Sequence, residues 1–66
     1  MLNKVKEARI AKEITQQELA DLLGVSRQTI FSIETGKYVP STILALKIAK
    51  TFNKSVEKLF ELELED

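Results

Sequence analysis

Two helices with almost no chain between them are written into residues 15–36, and this constrains the fold more than anything else in the sequence. Thr15-Gln16-Gln17-Glu18 has the form of a capping box. In such a box the hydroxyl accepts from a first-turn amide and the glutamate reaches back to the cap. The helix that follows carries Leu19, Ala20, Leu22 and Leu23 and stops at Gly24, the residue type that best tolerates a left-handed helix end. Only Val25 then precedes Ser26, a second good N-cap. A further helix is therefore predicted from Arg27 to about Thr35, with Gly36 as its stop and Ile30 and Ile33 inward. Helices joined by so short a corner must cross steeply. Ala20 is small where the second helix passes, Gly24 permits the corner, and the two isoleucines lock the pair together. The helix over 27–35 then stands proud, able to enter a major groove about 12 Å wide.

The rest of the chain supplies a body for this pair. Helix one is predicted over Asn3–Lys12, with Val5 and Ala8 inward and its lysines outward. Lys37-Tyr38-Val39-Pro40 reads as a loop, because proline disfavours a helical residue before it. Ser41 caps a fourth helix bearing Ile43, Leu44, Ala45, Leu46, Ile48, Ala49 and Phe52, the most apolar segment and the expected central buried helix. Ser55 caps a short fifth helix with Val56, Leu59 and Phe60. From Phe60 to Glu65 apolar and acidic residues alternate, a period of two. A lone strand is not stable and needs a partner. Met1-Leu2-Asn3 is the only unassigned backbone, so a small terminal two-stranded antiparallel sheet is expected; pairing across a dimer or fraying are the alternatives. With no repeat, linker or low-complexity stretch, residues 1–66 read as one all-α domain, a compact five-helix bundle with its helix-turn-helix at about 16–35.

Composition narrows the function. The chain has no cysteine and no histidine, which removes disulfides, thiolate chemistry and the usual proton shuttle and transition-metal ligand. No paired carboxylates or nucleophile–base set stands out, and so small a core cannot hold a dry pocket. An enzyme is not expected, nor is a cofactor or metal. No apolar run is long enough to span a membrane, and the start lacks a signal-peptide stretch, so a cytoplasmic location without a membrane partner is expected. Net charge is zero, but it is segregated. Residues 57–66 hold five acids and one base, whereas residues 1–56 hold nine bases and five acids. One face can thus attract phosphate while the acidic end stays away from it.

The run ITQQELADLLGVSRQTIFSIETGKYVPS, with LALKIAKTF after it, resembles the Cro/C1-type (Xre-type) helix-turn-helix regulators over roughly Leu2 to Phe60. It is most similar to the short, dimeric, cytolysin-repressor-like members without a separate sensor domain. The resemblance implies a five-helix fold, double-stranded DNA as partner and transcription regulation, most simply repression. By position it implies that Gln16 touches phosphate and braces the recognition helix, and that Arg27, Gln28, Thr29 and Ser32 face base edges. Arginine can grip guanine, and glutamine adenine, through two hydrogen bonds each. Ser26 and the amides at both helix starts suit phosphate. Lys37 and Tyr38 sit where family members touch the backbone. Arg9 and Glu34 match a pair that ties helix one to helix three.

Each of these residues also has an ordinary structural role open to it. Gln16, Arg27 and Gln28 are of types common on solvated helix surface, Thr29 and Ser32 can bond within the helix, and Tyr38 can lay its ring on the body. Phe31 follows Ile30 and so points off the inward stripe. It either meets a thymine methyl or packs against Tyr38 or Val39. Lys47, Lys50 and Lys54 read as a solvated face. One helix reads few base pairs, so a homodimer over a two-fold symmetric operator is expected, with half-sites about 34 Å apart. Its surface is expected from Phe52, Val56, Leu59, Phe60, Leu62 and Leu64, part of which the core also claims. A rival function is an antitoxin-like module whose main task is binding a partner protein.

Overall fold

The computed structural model describes all residues, Met1–Asp66. Strand β1 (Leu2–Asn3) is followed by helices α1 (Val5–Ala11), α2 (Gln16–Leu23), α3 (Arg27–Glu34), α4 (Thr42–Phe52) and α5 (Val56–Leu59), then strand β2 (Phe60–Glu61). The five expected helices and the terminal antiparallel sheet are thus present, with Leu2 opposite Glu61 and Asn3 opposite Phe60. The sheet is shorter than the alternating pattern suggested. Beyond Glu61 the chain turns, and the Asp66 carboxylate accepts from the Glu63 amide at 2.7 Å. The Met1 ammonium meets Glu63 at 2.7 Å and Asp66 at 3.2 Å. Hydrogen bonds donated to Glu63 and then Asp66 raise the ammonium pKa above its ordinary 8.0, while the Glu63 amide and then the ammonium lower that of Asp66.

Most helix ends follow their local chemistry, but Ser55, expected to cap α5, makes no side-chain cap bond. At α2 the capping box is complete: the Thr15 hydroxyl accepts from the Glu18 amide at 3.0 Å, and the Glu18 carboxylate accepts from the Thr15 amide at 2.9 Å. Ser26 and Ser41 cap α3 and α4 by accepting from the amides of Thr29 and Leu44. At the C-terminus of α2 the Val25 amide bonds back to the Ala20 carbonyl at 3.0 Å, and that of Gly24 to Asp21 at 3.4 Å. This Schellman closure needs a left-handed residue, and Gly24 supplies φ 72°. A β-carbon added at Gly24 would meet nothing within 4 Å. The cost of Gly24→Ala therefore comes from the dihedral alone, about 1 kcal/mol after the lost flexibility of the unfolded glycine is offset. A urea midpoint shift of that size, with unchanged slope, checks it.

The core comprises Val5, Ala8, Leu19, Ala20, Leu23, Ile30, Ile33, Leu44, Ile48, Ala49 and Leu59, with Ile14, Val25, Phe52, Val56 and Phe60 packed partly against it. Helix α2 lies chiefly against α3, as the Ala20, Ile30 and Ile33 spacing predicts. Two expectations need correction. Helix α4 is not buried all round: Leu44, Ile48 and Ala49 face the core, but Ile43 and Leu46 are 70% and 57% exposed. With 100° per residue, the Leu44–Ile48 stripe leaves Ile43 and Leu46 on the far side beside Lys47 and Lys50. Leu59, expected at the dimer surface, is 1% exposed. It fills the core under α5, so it has almost no area to give a second chain.

Candidate nucleic-acid interface

Helix α3 is held at three points that leave its first turn free. Ile30 and Ile33 fix its inner side. At its far end the Asn3 amide group donates to the Ile33 carbonyl at 2.9 Å, which ties α3 to β1. Glu34 is the third point. Arg9 Nε donates to its Oε2 at 2.7 Å and Arg9 Nη2 to its Oε1 at 3.3 Å, the two-pronged arrangement that guanidinium and carboxylate favour. Gln16 Nε2 donates to the same Oε1 at 3.1 Å, and Arg9 Nη1 to the Ile14 carbonyl at 2.9 Å. One carboxylate thus gathers α1, the start of α2 and the end of α3. Its side chain is only 2% exposed, the openness of the residue being in its backbone at the helix end.

The opposite end of α3 faces solvent. Ser26, Arg27 and Gln28 are exposed, and Thr29 is half-buried. The amides of Arg27 and Gln28 belong to the first turn and have no acceptor within the helix. With the positive end of the helix dipole behind them, they can meet an anion such as phosphate. Ser26 is occupied as a cap, and its hydroxyl also lies 3.0 Å from that of Thr29. The expected base-facing role of Thr29 therefore competes with a bond already made inside the turn. Ser32 is half-buried on the outer flank, its carbonyl accepting from the Lys37 amide at 2.9 Å and the Tyr38 amide at 3.2 Å. Those bonds, with Gly36 at φ 77°, fold the loop back so that exposed Lys37 and Tyr38 flank the helix end. Gln16 joins the group through Glu34, at the N-terminus of α2.

Helical geometry also puts Phe31 on the outer face, between Gln28 and Thr35. It is 38% exposed, and the Lys37 ammonium stands 5.9 Å from its ring centroid. The signal was in the sequence, in the offset of Phe31 from Ile30 and Ile33. The exposed pair Ile43 and Leu46 was missed, although the solvated Lys47 and Lys50 mark the same side of α4. No group of residues could hold a metal ion, and no helix is long and apolar enough to cross a membrane.

A helix-turn-helix family model matches residues 5–59. The chain is 50% identical to an uncharacterized HTH-type transcriptional regulator of Bacillus subtilis, over the full length of both. It is 54% identical to another of Methanocaldococcus jannaschii, over 96% of each chain. Among solved structures it is similar to the restriction-modification controller protein C.AhdI from Aeromonas hydrophila, with TM-score 0.77 and 32% identity over 86% of this chain and 83% of that one. The match spans the capped α2–α3 corner together with the helices that brace it. The chain belongs to the Cro/C1-type helix-turn-helix family of transcriptional regulators.

Proposed function

We propose that the protein binds a two-fold symmetric duplex site as a homodimer, placing α3 in the major groove, and that occupancy of this site represses transcription. The observation that carries the reading is the exposed first turn of α3, with Arg27 and Gln28 outermost on a helix whose other contacts hold it rigid. Arg27, Gln28 and Ser32 read base edges in this scheme, with Thr29 at the rim. Gln16, Ser26, Lys37 and Tyr38 position the helix on phosphates. Residues 1–66 act as one domain. The partner chain covers the end remote from Arg27, where exposed Leu62 and Leu64 continue from partly buried Phe52, Val56 and Phe60. The acidic residues there stay clear of the DNA.

Selection of bound duplexes from a random pool tests this directly. A palindromic consensus and a steep fall of affinity with salt are the expected results. Arg27→Ala and Gln28→Ala should each weaken the selected site by about 1–3 kcal/mol and relax preference at one position per half-site. Lys37→Ala should instead weaken all duplexes evenly and reduce the salt slope by about one. Wild-type affinity in both Arg27→Ala and Gln28→Ala would refute the base-reading assignment.

A further inference from the structure

We infer that Phe31 is a specificity residue that reads the 5-methyl group of a thymine in the major groove, an inference that rests on the DNA-binding reading above. Ile30 and Ile33 face the core, and 100° per residue places Gln28, Phe31, Ser32 and Thr35 on the other side of α3. Of these, Thr35 has no free donor, because its hydroxyl is given to the Phe31 carbonyl at 2.9 Å. Phe31 keeps 38% of its surface exposed on that side.

One neighbour of Phe31 is cationic. Lys37 is drawn back by its amide bond to the Ser32 carbonyl, and its ammonium stands 5.9 Å from the ring centroid, within cation–π range. The ring thereby has a phosphate-seeking charge beside it and keeps part of its surface open. That open part, on a helix read as facing the groove, can take an apolar partner. The thymine methyl is the apolar group that the major-groove edges of the bases offer.

The test uses the full chain and its selected duplex, with each thymine replaced in turn by deoxyuridine, which lacks only that methyl. Wild type should lose about fourfold in affinity at one position per half-site, the worth of one buried methyl group. Phe31→Ala should bind the thymine and deoxyuridine duplexes equally. Its folding is checked by circular dichroism, and if it fails to fold, Phe31→Gln, which keeps bulk without the ring, replaces it. Wild-type indifference to every methyl would overturn the inference while leaving DNA binding intact, as would a Phe31 variant that keeps the full methyl preference. A wild-type chain that selects no duplex would sink the DNA-binding reading itself, and this inference with it.

Discussion

Glu34→Ala should destabilise the fold by about 3–5 kcal/mol, the usual consequence of removing one partner of a buried ion pair. A domain of this length has a total stability of roughly 3–10 kcal/mol, so the variant should be largely unfolded at moderate urea. The reason is local. Arg9, with its side chain 12% exposed, would keep only the Ile14 carbonyl as acceptor, and Gln16 would lose its partner at 3.1 Å. The loss reflects a stranded guanidinium more than any net gain from the pair. Replacing both members with apolar residues of similar size, Arg9→Met with Glu34→Leu, should therefore recover most of the stability. Urea unfolding of the two variants decides the point: a single variant within 1 kcal/mol of wild type would show that Glu34 does not hold the helices together. The double variant has a second use. If Gln16 steadies α3 through Glu34, DNA affinity should stay reduced even where stability has returned.

Ile30→Ala should be comparably severe, at about 2–5 kcal/mol, because Ile30 is wholly buried where α3 meets α2. The loss combines the transfer of the side chain with the cavity it leaves, and two helices that cross at a glycine corner cannot easily close over it. For a chain of this size each kcal/mol moves the thermal midpoint by roughly 4–8 °C, so a drop of 10 °C or more is expected by calorimetry. The contrast lies in Gln28→Ala, two residues away on the exposed side of the same helix. It should leave the midpoint nearly unchanged while weakening DNA. A chain in which these two variants had similar effects on stability would not have the one-sided α3 described here.

Local physics made much of this protein legible in its sequence. Thr15 with Glu18, Gly24, Ser26, Gly36 and Ser41 mark helix ends through bonds within a few residues, so their meaning does not depend on the rest of the chain. Val5, Ala8, Ile30 and Ile33 recur at helical spacing, and the structure buries them as that spacing requires. Phe60–Glu61 pairs with Leu2–Asn3 because an alternating segment with exposed backbone must find a strand, and only one was available. The outward placement of Arg27 and Gln28 follows from the same periodicity. What tertiary structure alone decided concerns residues that fit more than one surrounding. In α4 only Lys47 and Lys50 hint at the outer side, and contact with α2 and α5 leaves Ile43 and Leu46 outside with them. Leu59 is as apolar as Leu62, yet the core takes the first and leaves the second exposed. Gln16 and Glu34 are eighteen residues apart. Their bond exists only because α3 packs back against α2 after the Gly24 corner, and no pattern along the chain specifies a distance through space.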